Sequence, residues 1–349
     1  MKNIIIIGTG WYGCHIATIL KQYPDKFRIT MIDSKNDIFD NSSYYNQNRL
    51  HYGYHYSRNY NTRELCKNNY TAFCNKYNFC IDYIKNNYYL ISNNSIIDYK
   101  TYTHIYEHEN YIFKIKPNSL FTNIDGDIID VNEHVINSDR IKDYFKASLN
   151  DINIIYNTKI NNYSKNSDNT ISVYDVNGLS YNCDILLDCT YNQLGLSKKL
   201  YIYELTISLV FEKIKDTEFN AITIMDGKFG SLYPRDIDNK LFTLTDVEYT
   251  PIISSTDYND IENFNVSDEQ INDIKIKMYD KFINYYPEFL THFKYNTYFL
   301  SKKTKVISNS DSRDIVIDKI EDNVISVNCG KIYGIFEYEK YILEYLELL

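Results

Sequence analysis

The stretch "IIIIGTGWYG", residues 4–13, decides the fold. Ile4 to Ile7 are consecutive β-branched apolar residues, the pattern of a strand buried on both faces in a parallel sheet. Gly8, Gly10 and Gly13 follow with the spacing G-x-G-x-x-G. In such a turn the first glycine makes the tight bend and the second lets the backbone approach a pyrophosphate. The third lets the next helix pack on the strand, so that the helix N-terminus faces the anion. "CHIATILKQY" continues with a helical apolar face through Ile16, Ile19 and Leu20, and "FRITMID", residues 27–33, reads as a second strand. Its last residue, Asp33, comes 20 residues after Gly13, where an acid accepts hydrogen bonds from ribose hydroxyls and repels a 2′-phosphate. Strand, turn, helix, strand and acid together predict a dinucleotide-binding β-α-β unit; a lone glycine motif would equally suit a plain tight turn. Trp11, Tyr12, Ser34 and Lys35 flank these positions and join them as candidate cofactor-binding residues.

The 349 residues allow about two domains. The net charge is −9, and acidic and basic residues are interspersed, which argues against nucleic acid or an anionic membrane as a partner. "MKNIIII" is too short an apolar run for a signal peptide, and no stretch of about 18 apolar residues suggests a span. The expectation is a soluble, cytoplasmic protein. Seven scattered cysteines with no C-x-x-C pair read as reduced, mostly buried residues, not as disulfides or a zinc site. The 37 tyrosines accompany abundant Asn, Ile and Lys, the usage of an AT-rich genome, so a tyrosine alone is weak evidence here.

Residues 34–60 form a long Asn-, Ser- and Tyr-rich stretch without sustained period, and a loop that long inside a domain is usually functional. A helix is expected over 62–80, a strand in "YIKNNYYLIS", and a helix opening near Ser138. Three short strands follow, "INIIYNTKI", "TISVYDV" and "CDILLDCTY", with "NNYSKNSDN" as a polar turn between the first two. Segments between 201 and 254 alternate apolar and polar residues, as in an antiparallel sheet with one wet face. A helical pattern covers 267–290, and the chain closes with "VISVNCGKIYGIF" and a last helix.

A simple NAD domain would continue with alternating strands and helices. This chain breaks into the long loop, leaves for another sheet, and returns through "CDILLDCTY" and "VISVNCGKIYGIF". That assembly resembles the FAD-binding fold of the glutathione-reductase type, and in particular the D-amino-acid-oxidase-like superfamily. Within the long loop, "NQNRLHYGYHY" (46–56) looks most like the flavin loop of the L-2-hydroxyglutarate oxidase branch, which reads roughly N-S-G-V-I-H-A-G-I-Y-Y. Asn46, His51, Gly53 and Tyr56 match, Leu50 is a conservative replacement, and Leu65 with Cys66 match the helix that follows. Arg49, His55 and Asn69 depart from that pattern, and so does the C-terminal third.

The resemblance implies an α/β protein with a discontinuous FAD-binding Rossmann-type domain, residues 1–80, 130–200 and 315–349. A substrate domain on a mixed or antiparallel sheet would comprise 81–129 and 201–314. It implies FAD as cofactor, with Asn46, Asn48, Arg49 and Leu50 of the loop against it, and backbone N–H groups of Gly330, Lys331 and Ile332 at the flavin's pyrimidine edge. Ile160 and Thr190 complete the expected cofactor-binding set. In such enzymes the flavin is the redox agent, and the protein supplies position and electrostatics. His51 is the candidate base, since imidazole titrates near neutral pH; a structural histidine holding the loop is the alternative. Arg49 and Arg235, the latter in "GSLYPRD" beside Tyr233, are candidate clamps, because guanidinium grips a carboxylate or phosphate in a two-point fork. Tyr233 is placed with them in the catalytic set.

The expected activity is hydride transfer from a small amine or hydroxy compound, an amino acid, hydroxy acid or sugar derivative, to FAD, with O₂ or another acceptor reoxidising the flavin. Two rivals stand beside it: a flavin-dependent mutase of the UDP-galactopyranose type, and a nucleotide-binding module without turnover. A metal held by His51 and His55 lacks a third ligand close in sequence, and no metal is expected.

Overall fold

The computed structural model describes residues 1–307 and 315–348. The chain forms two compact units, one of Met1–Tyr44, Ser138–Tyr203 and Thr304–Leu349, the other of Tyr45–Asn137 and Glu204–Lys303. The expected limit between domains at 314 falls outside the described residues.

In the first unit, a six-stranded sheet runs in the order Val316–Glu321, Val324–Asn328, Ile185–Asp188, Lys2–Ile7, Phe27–Ile32 and Asn153–Ile155. Neighbours are parallel except for the first two strands, which are antiparallel. Lys2–Ile7 lies in the middle of the sheet, so Ile4 to Ile7 are buried, as a run without alternation requires. Helix Trp11–Leu20 follows the glycine turn, and Trp11 packs against Phe39 and Phe145 at ring distances of 5.2 and 5.7 Å.

"INIIYNTKI" is not one strand. Asn157, with φ 52°, takes the left-handed region and separates Asn153–Ile155 from Ile160–Lys165. The second piece runs into the supposed polar turn and pairs with Ile171–Asp175, which pairs in turn with Ser180–Cys183. Only Ile160 of that piece is fully buried, so its sequence reads as loop.

The second unit is built on a nine-stranded mixed sheet. Its path runs Pro251–Ser255, Tyr201–Lys213, Leu241–Asp246, Gly230–Asp236, Ala221–Met225, Asn87–Ser92, Ile124–Val131, Phe113–Lys116, with Phe293–Val306 pairing Tyr201–Lys213 off this path. The wet face expected of the segments between 201 and 254 is absent from Tyr201–Lys213 and Ala221–Met225, which are buried along nearly their whole length, and the neighbouring strand shows why. Along Asn87–Ser92, Tyr88 and Leu90 enter a core with Met278 and Phe282 of helix Asp268–Ile283, whereas Tyr89 and Ile91 enter a second core made largely of tyrosines. Both faces are covered because the helix Tyr99–His108 and the segment 52–54 supply the second layer.

A small sheet joins Arg49–Leu50, His134–Ile136 and Ile81–Asp82. Helix Tyr60–Tyr77 starts two residues earlier than Thr62, because the Asn59 side chain caps it by accepting from the Thr62 N–H at 2.9 Å. Ser267 and Gln270 close a reciprocal capping box on Asp268–Ile283.

Candidate functional site

In the first unit the glycine turn is closed to side chains. Gly8 has φ +99°, and a Cβ there would lie 2.6 Å from the Cys189 carbonyl oxygen. A Cβ on Gly13 would overlap the Gly8 carbonyl oxygen, and one on Gly10 would meet Ser43 Oγ at 2.6 Å. Gly10 is the N-cap of Trp11–Leu20 and offers no side chain to cap it. The helix thus opens at a tight turn built of backbone with the Ser43 hydroxyl beside it, which fits a dinucleotide pyrophosphate.

Asp33 ends its strand half-buried. Its Oδ2 accepts from the Thr9 N–H (2.6 Å) and hydroxyl (2.7 Å), and Oδ1 accepts from the Lys35 N–H at 2.9 Å. The carboxylate thereby braces the turn, while Ser34 and Lys35 are exposed. Thr190 donates its N–H and hydroxyl to Asp188, which also accepts from Ser326 Oγ at 2.7 Å. Asp188 is fully buried, and burial raises its pKa against these three donors. The Tyr12 hydroxyl donates to the Lys331 carbonyl at 2.7 Å, tying the first helix to Gly330, Lys331 and Ile332. The Ile160 side chain, in contrast, lies in the apolar core with Ile5, Ile7 and Ile171.

The second unit holds the remaining candidates. Asn48 has φ 51°, its N–H donates to Asn46 Oδ1 at 2.5 Å, and its carbonyl accepts from the Ile136 N–H. Arg235 Nη1 donates to the Asn46 carbonyl at 3.2 Å, and its guanidinium lies 4.7 Å from the Phe299 ring centre. Gln47 reaches the Ser231 and Thr243 carbonyls. Leu50 is fully buried.

Arg49 is 8 % exposed and lies 4.1 Å from the centre of the Tyr233 ring. Its Nη1 donates to Tyr89 Oη at 3.2 Å, and the Tyr89 hydroxyl donates to Glu133 Oε2 at 2.6 Å. Burial opposes the guanidinium charge, but Tyr89, Tyr233 and Glu133 outweigh it and raise the Arg49 pKa. Burial, reinforced by Glu133, pushes the Tyr89 phenol well up. Tyr233 is fully buried; its hydroxyl donates to the His134 carbonyl and accepts from Asn87 Nδ2, each at 3.2 Å. His51 Nδ1 lies 3.8 Å from Glu133 Oε1, and the His51 ring is 5.6 Å from that of His55 and 5.3 Å from that of Tyr56.

The structure therefore brings together Arg49, Tyr233 and His51 around Glu133, and Asn46 with Arg235. Glu133, Tyr89 and Ser43 escape sequence reading. Glu133 sits in "VNEHVI" with no motif, Tyr89 is one tyrosine among many, and the Ser43 hydroxyl, which accepts the Trp11 N–H at 3.0 Å, belongs to a loop without period. Arg63 is a fourth: it forks onto Glu109 and donates to the carbonyls of Tyr56 and Ser57, fastening the loop's end. Among the described residues no group of three or more His, Cys, Asp or Glu is placed to hold a metal ion, and no helix is long and apolar enough to cross a membrane.

The fold is shared with solved FAD-dependent oxidoreductases of the glycine and D-amino-acid oxidase type. Glycine oxidase from Geobacillus kaustophilus superposes with a TM-score of 0.72 at 9 % identity, over 99 % of this chain and 95 % of that one. L-α-glycerophosphate oxidase from Mycoplasma pneumoniae with FAD bound superposes with a TM-score of 0.76 at 14 % identity, over 99 % and 94 %. In sequence the chain is 29 % identical over 347 residues to a FAD-dependent monooxygenase of Fusarium mangiferae, covering 98 % of this chain and 90 % of the relative. It is 25 % identical over 362 residues to a FAD-dependent monooxygenase of Aspergillus flavus, covering 95 % and 82 %. No family model matches.

Proposed function

We propose that the chain is a FAD-dependent enzyme that oxidises a small amine or hydroxy compound by hydride transfer, with O₂ or another acceptor completing the cycle. The observation that carries this reading is the turn of Gly8, Gly10 and Gly13, where backbone leaves no room for a Cβ at Gly8 or Gly13 and a helix opens from Gly10. The fungal relatives, named as FAD-dependent, support it. When bound, FAD supplies the two-electron acceptor.

The chain's own residues divide the remaining work. The glycine turn and the first-turn N–H groups hold the pyrophosphate, and Asp33 and Thr190 flank it. Asn46, Asn48 and Leu50 set the course of the loop; Arg49 and Arg235 give it positive charge suited to an anionic group of substrate or cofactor. His51 takes the proton from the substrate's hydroxyl or amine as the hydride leaves.

The test is spectroscopic. Purified protein is mixed with FAD, and amino acids, hydroxy acids, glycerol phosphates and nucleotide sugars are screened anaerobically for bleaching of the flavin absorbance. Bleaching by a donor with release of its imine, aldehyde or keto product supports the proposal. Protein that neither carries nor takes up FAD overturns it. A second reading, oxygen transfer into the substrate, draws on the monooxygenase names of both fungal relatives; it requires an ¹⁸O atom from ¹⁸O₂ in the product.

A further inference from the structure

The mechanism above leaves one fully buried charge without a task. Glu133 is 0 % exposed, and nothing about an anion there serves packing. Yet its carboxylate is held from three sides. Oε1 accepts the N–H groups of Tyr52 (2.7 Å) and Gly53 (3.1 Å), the two residues after His51, and Oε2 accepts the Tyr89 hydroxyl at 2.6 Å. The same Oε1 stands 3.8 Å from His51 Nδ1. Behind it, Arg49 donates to Tyr89, so that a buried cation balances the buried anion through one phenol.

We infer that Glu133 is a positioning residue for His51, the charge of its anchored carboxylate, 3.8 Å away and beyond hydrogen-bond reach, favouring the imidazole proton on Nδ1 and leaving Nε2 as the proton acceptor. This rests on the reading of His51 as the base. The step balances: the substrate's O–H or N–H bond breaks and its proton bonds to Nε2. The electrons of that bond become the C=O or C=N bond, and the hydride leaves the carbon for the flavin, so the substrate loses two electrons and the flavin gains them. The imidazolium that results lies beside an anion already desolvated and oriented, so little reorganisation is needed. Among the groups facing His51 are Glu133, from the residue just before the strand His134–Ile136, and His55 and Tyr56 from its own loop, with Tyr89 and Arg49 behind Glu133. Glu133 is the anion among these.

Histidine NMR on the intact protein tests this, His51 being assigned by the signal lost in His51→Gln. In the wild type at high pH, the ring ¹⁵N shifts report the Nδ1–H tautomer; a predominant Nε2–H tautomer overturns the inference without any change at Glu133. Glu133→Gln keeps the acceptor for Tyr52 and Gly53 and removes the charge, and it lowers the His51 pKa by about one unit. Glu133→Asp retains most of the wild-type value. A His51 pKa unmoved in a Glu133→Gln protein that melts cooperatively overturns the inference. With a donor from the bleaching screen, the same variant moves the acid limb of the flavin-reduction profile down by the same shift. If the NMR shift appears while His51→Gln still reduces flavin at the wild-type rate, the pairing stands and the role of His51 as base falls.

Discussion

The Arg49 guanidinium rests against the face of Tyr233, 4.1 Å from its centre, and so is stacked where a free clamp would reach outward. Its charge is enclosed by two phenols and, through one of them, by Glu133. A cation held this way sets the conformation of the loop beside His51 as much as it offers charge to a ligand.

Arg49→Ala therefore leaves Glu133 buried without its counter-charge and is expected to lower stability by about 3 kcal/mol. Arg49→Lys keeps a charge but loses the planar stack, and about 1 kcal/mol is expected. Urea unfolding followed by tryptophan fluorescence checks both; equal losses would mean that the planar group matters and the charge does not.

The glycine turn yields a graded expectation. Gly13→Ala sets a Cβ on the Gly8 carbonyl, which is backbone and cannot give way, so little folded, FAD-binding protein should be recovered. Gly10→Ala meets only Ser43 Oγ, the end of a rotatable side chain, at 2.6 Å. That variant folds and binds FAD about tenfold more weakly, as quenching of flavin fluorescence would show.

Gly53 has φ +122°, and a Cβ there would lie 2.6 Å from Tyr111 Oη. Gly53→Ala is expected to cost about 2 kcal/mol or more through the backbone alone. Adding Tyr111→Phe removes the clash and leaves the φ, so the double variant should recover only part of the loss in thermal melts.

His134 supplies a pH dependence. Burial lowers its pKa, the neighbouring Glu133 opposing, and its Nδ1 accepts the Ile84 N–H at 3.2 Å. The unfolded chain thus binds this proton at a higher pH than the folded one. Its contribution to stability is complete above the unfolded value of about 6.5 and is lost as pH falls below it. Urea midpoints at pH 7.5 and 5.5 should differ less in His134→Gln than in the wild type.

Much of the first unit was legible in order along the chain. Ile4 to Ile7, the three glycines and Asp33 lie within a single β-α-β unit, where contacts are local and periodicity reports burial directly. The strand Ile160–Lys165 was not, since one buried residue in six leaves no period to read. The wet face expected for the second sheet failed for a related reason. Thr206, Ser208 and Thr223 occupy the polar positions of alternating strands, and only packing from elements distant in the chain decides that they are buried.

The same division holds at the candidate site. The sequence by itself determined that a glycine turn joins the first strand to a helix, that an acid closes the second strand, and that His51 sits in a loop rich in polar groups, because each depends on neighbours within about 20 residues. That Arg49 stacks on Tyr233, 184 positions later, and that Glu133 takes the backbone of Tyr52 and Gly53, was decided only when the small sheet paired Arg49–Leu50 with His134–Ile136. Buried charges find their partners across such distances through packing, and no spacing in the chain records it.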